Sequence, residues 1–402
     1  MSRFGSRKKY GPIGLDIIDD SIKMLQLGYQ QGQLSVTMAK RVSLSTEEDE
    51  PQRRQSVVAA IHGILDEGGF RGKQVVTCLP NDAWKVTSVR MDPADSTKTG
   101  AELNKEAAYR FGLDPEVDSI RYLPAGQIQH GDQVKQEMIL FGAEDARIRR
   151  HIALLEESRL VPVGIDPLPC ALFRGYARQM RRQRDKEQAV MYVHVGSRDS
   201  TVVFGIQGEI CFIKQIPIGA VHVDREIADK LNVSMEEAMR MRLSLQHSAG
   251  DGHTLKGPDA SGQPQVRQTQ EPESEETMAA GLDQSMQQVL LDPMNSVAEQ
   301  LIHEISLCLR YYTVTFRGHR VGSALVSGGG ADTPLLMDTF RRHLPLDVDV
   351  VKSFRGLKSL GRLSKERPTE WAIAIGLALK GIEAARPQGE EKPKTNQLIS
   401  VG

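Results

Sequence analysis

The chain has 402 residues, enough for two or more domains with separate cores. Its formal net charge is −1, so no overall electrostatic field favours nucleic acid, and that class of partner is disfavoured. The longest apolar run, residues 372–379, is too short to span a membrane, and the polar, basic first ten residues do not resemble a secretory signal. The four cysteines lack the Cys-x-x-Cys spacing of zinc and redox motifs. We therefore expect a soluble cytoplasmic protein with buried thiols.

The first predicted unit is a meander of three strands between Ile13 and Ser43. A tight polar turn follows Ile18, and a second turn contains Gly32. Apolar residues at helical spacing then predict a helix, and Val75–Leu79 is typical of a buried strand.

Residues 84–166 differ in sequence pattern from the preceding meander, and this difference predicts a small inserted α/β subdomain. The patterns in this segment alternate between strand and helix, at 86–89, 102–111, 136–141 and 144–159. The chain then returns to the first domain.

A second meander begins at Met191 and repeats the order of the first. An apolar strand ends at Val195, a polar turn and two further strands follow, and the unit closes at Gly219. Capping boxes that begin at Ser234 and Ser296 each predict the start of a helix. The remaining predicted elements are a buried strand, a Gly-rich loop, a helix, a strand and a small-residue helix, at 324–326, 327–331, 336–340, 346–351 and 371–382.

These patterns predict two lobes, an insert, a flexible insertion with almost no apolar residues, and a disordered tail. The predicted boundaries are 1–83 with 167–189 for the first lobe, 84–166 for the insert, 190–385 for the second lobe, 249–280 for the flexible insertion and 386–402 for the tail.

Two meanders in one chain indicate a duplicated domain with a cleft between the halves. Paired turns that face each other across a cleft can hold the phosphates of a nucleotide through backbone N–H groups. The loop Ser327–Ala331, between a strand and a helix, adds a third element of the same kind, since glycine allows close approach of a ligand. A Gly triplet alone is more typical of an ordinary turn, so the order of all three elements carries the interpretation.

In this order, the motifs resemble those of the actin-like ATPase superfamily, and in particular the type IV pilus assembly protein PilM family. The resemblance implies an α/β fold in which an actin-like (ribonuclease H-like) unit is duplicated around a nucleotide cleft, with an inserted subdomain like that of FtsA. It is carried by segments 14–23, 163–166, 193–201, 216–219, 231–238, 327–331 and 374–378.

The resemblance also implies a nucleotide site that takes ATP and Mg²⁺. Asp16 would hold the metal through water. The implied cofactor-binding residues are Asp16, Ser21, Lys23, Gly196, Ser197, Thr201, Gly219, Gly328, Gly329, Gly330 and Ala331.

The function that the resemblance implies is scaffolding in the inner-membrane platform of a type IV pilus or a related secretion machine. The implied partners are the cytoplasmic N-terminal peptide of a PilN-like membrane protein and other platform components, and self-association is left open. By analogy, the groove between the first lobe and the insert would receive the peptide.

The phosphate loops depart from the family pattern at four positions. Ile18 stands where the family has glycine, and a left-handed conformation there would cost about 1–2 kcal/mol. Asp19 and Asp20 would repel a polyphosphate unless Mg²⁺ bridges them. His194 replaces a metal-orienting Asp, and we interpret it as an inward strand residue, because imidazole is a poor magnesium ligand. We therefore expect ATP binding with weak or absent hydrolysis and assign no catalytic residue.

Two alternatives stay open on the residues alone. One is an active ATPase that cycles with assembly, supported by Asp16 and Lys23. The other is a sugar or acetate kinase of the same superfamily, for which Asp82 is the nearest candidate catalytic carboxylate.

Overall fold

The computed structural model describes residues 10–18, 20–45, 49–92, 99–130, 133–178, 188–250, 284–316, 320–358 and 367–384. Asp19, most of the predicted flexible insertion and the predicted disordered tail lie outside these ranges. In the part of the chain described here, no helix is both long enough and apolar enough to cross a bilayer.

The described elements alternate between strands and helices along the chain. The strands are β1 Tyr10–Ile18, β2 Ser21–Gln30, β3 Gln33–Ser43, β4 Gln74–Cys78, β5 Lys85–Met91, β6 Ser119–His130, β7 Gln133–Ala143, β8 Val161–Asp166, β9 Ala189–Val195, β10 Ser200–Ile206, β11 Glu209–Ile216, β12 Val321–Ser327 and β13 Asp347–Val350. The helices are α1 Glu50–Asp66, α2 Thr99–Phe111, α3 Asp145–Glu157, α4 Leu168–Ala177, α5 Ala220–Leu231, α6 Met235–Gly250, α7 Gln284–Thr315, α8 Pro334–His343 and α9 Ala372–Ala384. Short 3-10 turns lie at Asn81–Ala83, Gly329–Asp332 and Pro368–Trp371.

Two five-stranded sheets share one topology. The first has the order β3-β2-β1-β4-β8 and the second β11-β10-β9-β12-β13. In each, three antiparallel strands form a meander, and two parallel strands extend its first strand on the other side. The predicted duplication of an α/β unit is therefore confirmed by strand order.

The cores of the two lobes form on the faces of these sheets. In the first lobe, α1 is fixed by a capping box at Asp49 and buries Val57, Ile61 and Ile64 against the sheet. In the second, α7 packs Leu301 and other apolar residues against the outer face. Because side chains alternate between the two faces along each strand, the apolar residues of the opposite sheet faces point toward the space between the lobes.

The insert is a three-stranded antiparallel sheet of order β5-β7-β6, with α2 on one face. The opposite face, which includes Trp84 and Phe141, packs with Phe173 of α4 and Ile213 of β11 in one apolar cluster. The insert therefore contacts the second lobe as well as the first. Strand β6 was not predicted, because its polar residues hide the period-two pattern.

The insert is shorter than the predicted segment 84–166. Strand β8 pairs with β4 in the first sheet, and Leu155 of α3 belongs to the apolar cluster of the first lobe. The amphipathic face of α3 fits a sheet surface, but only the fold shows which sheet it covers.

Two predictions for the second lobe also differ from the structure. Helix α7 begins before the predicted cap at Ser296 and continues through Pro293, with Leu290 fully buried against α5 and α6. Helix α9 packs on β1, β2 and α4 of the first lobe, although it was assigned to the second. Burial of both helices outweighs the local signals. The capping box at Ser234 is confirmed, with Glu237 N–H donating to Ser234 Oγ at 3.2 Å.

Candidate functional site: the cleft between the lobes

The first turn at the cleft joins β1 to β2. Ile18 pairs with Ser21, so only two residues separate the strands, and Ile18 remains extended. Ile18 is not among the described residues with positive φ, so the left-handed strain considered for this position does not arise. Lys23 follows on β2 and is buried, and its ammonium donates to Ser21 Oγ at 2.9 Å. Ser21 in turn donates to Asp20 Oδ1 at 3.0 Å.

Asp16 lies on β1 beneath this turn and is fully buried. Neither of its carboxylate oxygens has a hydrogen-bond partner among the described residues. Burial raises the pKa of Asp16 to about 6, against the attraction of Lys23, and the charges of Asp20 and Glu370 add to the rise. A buried carboxylate with open acceptor positions suits the water shell of a hydrated Mg²⁺.

His194 on β9 faces the first turn from the other lobe. Burial together with the charge of Lys23, opposed by Asp20, lowers the pKa of His194 to about 3, so the imidazole is neutral near pH 7. Its Nδ1 lies 3.1 Å from Ser327 Oγ. This matches the interpretation of His194 as an inward strand residue satisfied by a neighbour.

The second turn, residues 196–199, joins β9 to β10 and docks on the start of α5. The carbonyl of Gly196 accepts from Ala220 N–H at 3.1 Å. A side chain at Gly219 would place its Cβ 2.5 Å from the Ser197 carbonyl oxygen. Gly219 is therefore required by the packing of this turn.

Asn81, which the sequence analysis did not assign to the site, links the first lobe to the second turn. Its side-chain amide donates to the Asp199 carboxylate and, at 3.3 Å, to Thr201 Oγ1. Its backbone carbonyl oxygen accepts from the Gln215 side-chain amide at 3.0 Å. The Thr201 hydroxyl thus takes part in a bridge between the lobes.

The Gly-rich loop follows β12. Gly328 has φ of +85°, and Cβ atoms at Gly328 and Gly330 would lie 2.3 and 2.4 Å from atoms of Val195. The absence of a side chain at these two glycines allows the loop to pack on β9. Gly329 differs, because a Cβ there would face the Glu370 carboxylate at 3.7 Å.

A small apolar pocket with a volume of about 50 Å³ opens beside the loop, between α5, α7 and the start of α8. Gly219 and Gly330 belong to its lining, and Arg242 at its edge is held by Asp224 at 2.5 and 3.0 Å. A flat, mostly apolar ring fits such a lining. The apolar side chains of the pocket are Val195, Ile218, Val297, Leu301 and Leu336, among others.

Glu370 enters the cleft from the Pro368–Trp371 turn. Its carboxylate lies 3.0 Å from Arg41 Nε, 3.1 Å from Arg367 Nη1 and 3.8 Å from Lys23 Nζ. The sequence analysis missed this group, since Arg41 and Glu370 are 329 positions apart and no local pattern marks them.

The structure gathers the predicted site residues into three places. Asp16, Ser21 and Lys23 lie at the first turn, and Gly196, Ser197 and Thr201 at or beside the second. The third place is the Gly-rich loop with the adjoining pocket, where Gly219, Gly328, Gly329, Gly330 and the buried Ala331 lie. Asp82 is not among them, because it is 77% exposed and paired with Arg147 at 2.9 Å. Asp82 therefore does not support the sugar or acetate kinase alternative as a catalytic carboxylate.

The model of the type IV pilus assembly protein PilM family matches residues 14–249 and 268–382. The chain belongs to this family. Comparison by sequence with curated proteins gives no match. The family assignment made from the motifs is confirmed.

Solved structures agree with this family in fold. The structure described as the PilM-PilN type IV pilus biogenesis complex gives a TM-score of 0.71 at 15% identity, covering 94% of this chain and 99% of that one. The ethanolamine utilization protein EutJ from Carboxydothermus hydrogenoformans gives 0.51 at 12% identity, covering 92% and 89%. MreB5 of Spiroplasma citri bound to ADP gives 0.46 at 10% identity, covering 94% and 98%. The family match and the first two of these structures show the duplicated actin-like fold for this PilM family member.

The cleft of this PilM family member fits the parts of Mg-ATP unequally. The apolar pocket suits the base, and the unpartnered Asp16 carboxylate suits a hydrated Mg²⁺. Among the described residues, no group of three or more His, Cys, Asp or Glu forms a metal cluster. Lys23 is the cation placed for phosphate, but it already contacts Ser21 and Glu370.

Proposed function

We propose that this PilM family member is an assembly scaffold of the type IV pilus platform. It binds the cytoplasmic N-terminal peptide of a PilN-like membrane protein and thereby lies at the inner membrane. It holds ATP and Mg²⁺ with little or no hydrolysis. The observation that carries the proposal is the family match, which extends over both lobes and the insert. The structure similar over 94% of the chain is described as a complex with PilN.

The groove between the first lobe and the insert is the proposed peptide site. The chain enters the insert at Asn81–Trp84 and leaves it at Ala143. Across these two connections, Arg147 donates to the Asp82 carboxylate at 2.9 Å and to its carbonyl at 3.3 Å. An extended peptide in this groove would lie against that pair.

The peptide test uses the synthetic N-terminal segment of a PilN-like protein and fluorescence anisotropy. Arg147→Glu should weaken binding about tenfold or more, because it reverses a charge at the groove. Arg149→Glu is the matched control, since Arg149 lies on the same helix, is 78% exposed and pairs with Asp145. It should bind within twofold of the unmodified chain. An unmodified chain that does not bind the peptide would contradict the scaffold proposal.

The nucleotide part of the proposal is supported by the pocket and by Asp16. The base would lie between α5 and α7, the Gly-rich loop would pass beside the phosphates, and Asp16 would hold the metal through water. The bound metal would neutralise phosphate charge. His194 is neutral, so it supplies no positive charge for phosphoryl transfer. Its imidazole is also a poor ligand for Mg²⁺, which prefers oxygen.

A thermal-shift experiment tests nucleotide binding. Mg-ATP at about 100 times its Kd should stabilise the chain by about 2.7 kcal/mol. Ala220→Leu, which extends a side chain into the pocket, should abolish the shift. Ala153→Leu on the exposed side of α3 is the control. Steady phosphate release at several turnovers per second would instead establish the active ATPase.

A further inference from the structure

We propose that the Glu370 carboxylate occupies the phosphate position of the cleft as an internal anion, and that a polyphosphate must displace it to bind. This inference rests on the proposed nucleotide site and adds the residues that compete for it. It follows from three sets of contacts around Glu370.

The first set is cationic. Arg41 and Arg367 donate to Glu370 at 3.0 and 3.1 Å, and Lys23 Nζ lies 3.8 Å away. Glu370 is 6% exposed, whereas Arg41 and Arg367 are about one third exposed. Three cations around one carboxylate form the charge pattern that proteins use for phosphate. Here a side chain of the same molecule takes that place.

The second set is the position beside the Gly-rich loop. Gly329 is the glycine of that loop whose missing side chain would face Glu370, at 3.7 Å from Oε1. Lys23 and the Gly-rich loop are the groups expected to flank phosphates, and Glu370 lies between them. The space is therefore filled by a group of the same charge as the ligand.

The third set ties the Pro368–Trp371 turn to both lobes. Thr369 accepts from Gly328 N–H at 3.1 Å and donates to Asp332 at 2.9 Å, both in the second lobe. Glu370 contacts Lys23 and Arg41 in the first lobe. Arg367, which precedes the turn, has φ of +39°, a left-handed conformation that is unfavourable for a non-glycine residue. The turn is thus a latch between the lobes, and displacement of Glu370 would release its first-lobe half.

Further carboxylates around the latch repel a polyphosphate that carries no metal ion. Asp20 lies close enough to the buried Asp16 to raise the pKa of Asp16, and Asp332 accepts a hydrogen bond from Thr369 of the turn. Phosphate must therefore replace Glu370 at the three cations or enter with a metal ion. This explains physically why a cleft with an intact base pocket would bind free phosphate weakly.

Pyrophosphate without nucleoside is the direct probe, measured by isothermal titration. Glu370→Gln keeps the shape and removes the negative charge, so it should bind pyrophosphate on the order of tenfold more tightly than the unmodified chain. Asp338→Asn removes one charge from an exposed ion pair on α8 and should leave the affinity within twofold. Adding Arg41→Gln to Glu370→Gln should reverse the gain. Equal affinities for Glu370→Gln and the unmodified chain would overturn the inference.

A second measurement does not depend on the Glu370 variant. The chain has two tryptophans, and Trp371 is next to Glu370. In a Trp84→Phe background, saturating pyrophosphate should shift the emission of the buried Trp371 as the latch is displaced. Pyrophosphate binding without a change at Trp371 would overturn the latch. If ATP stabilises the chain while both latch tests fail, nucleotide binding stands without the latch. If neither ATP nor pyrophosphate binds any variant, both proposals fall.

Discussion

The buried position of Asp16 disfavours the ionised form of its carboxylate. Its oxygens are buried and have no hydrogen-bond donor among the residues that the structure describes, and burial raises the pKa from 3.8 to about 6. The raised pKa means that the folded state binds a proton more tightly than the unfolded chain does. The ionised carboxylate therefore destabilises the fold above pH 6, and this effect disappears as the pH falls from about 6 to about 4. Sites that await a charged ligand show this pattern.

Asp16→Asn should therefore stabilise the ligand-free chain at pH 7.5, by about 2 kcal/mol. The difference from the unmodified chain should shrink steadily as the pH falls from about 6 toward 4, because Asp16 is then protonated in the folded state and becomes protonated in the unfolded chain as well. Urea unfolding at pH 7.5, 6 and 4.5 measures it, with the exposed Asp338→Asn as a control that should show no such trend. A less stable Asp16→Asn at pH 7.5 would mean that attraction to Lys23 outweighs burial.

Helix α9 shows how one element is specified by close packing. It crosses α4 so tightly that a Cβ at Gly376 would lie 1.8 Å from the Ala171 carbonyl oxygen. It also packs closely on β1, where a Cβ at Gly14 would lie 2.2 Å from the Ala374 carbonyl oxygen. Both obstacles are backbone atoms, which cannot rotate away. The small residues of α9 are thus needed for the crossing.

Gly376→Ala should lower the free energy of unfolding by about 3 kcal/mol or more, because α9 must move away from α4. Gly63→Ala is the matched control. Gly63 lies in helix α1 with nothing within 4 Å of an added Cβ, so this substitution should gain about 0.5–1 kcal/mol. Chemical denaturation compares the two. A Gly376→Ala variant as stable as Gly63→Ala would contradict the described crossing.

A buried ion cluster ties helices α4 and α9 to the end of β8 in the first lobe. Asp166, at the end of β8, accepts from Arg174 of α4 and Lys380 of α9, each at 2.7 Å. Burial alone would raise the pKa of Asp166, but the charges of Arg174 and Lys380 outweigh it and lower the pKa below its ordinary value. Helix α4 leads toward the second lobe and α9 returns from it, so this cluster holds both connections to the first sheet.

Asp166→Asn should destabilise the whole molecule by about 3–5 kcal/mol, because two cations stay buried without their counter-charge. Asp82→Asn, which breaks an exposed ion pair, should change stability by less than about 1 kcal/mol. Thermal denaturation followed by calorimetry measures both. An Asp166→Asn variant that melts with the unmodified chain would show that the cluster contributes little.

The fold was predictable to the extent that its signals are local. The meanders, α1 and the capping box at Ser234 depend on residues close together in the chain, and the family resemblance depends on the order of such local motifs along it. The end of the insert, the position of α9 and the start of α7 were assigned wrongly. Each of these depends on which distant surface covers an apolar face. An amphipathic pattern shows that a helix has such a face but does not specify the surface that it packs against.

The candidate site divides in the same way. Asp16, Lys23 and the Gly-rich loop could be recognised as motifs because their spacing along strands and turns follows from short-range backbone geometry. The latch at Glu370, the bridge through Asn81 and the packing role of Gly328 could not, because their partners lie far away in sequence. Electrostatic attraction and close packing act through space, so these contacts exist only once the two lobes have come together.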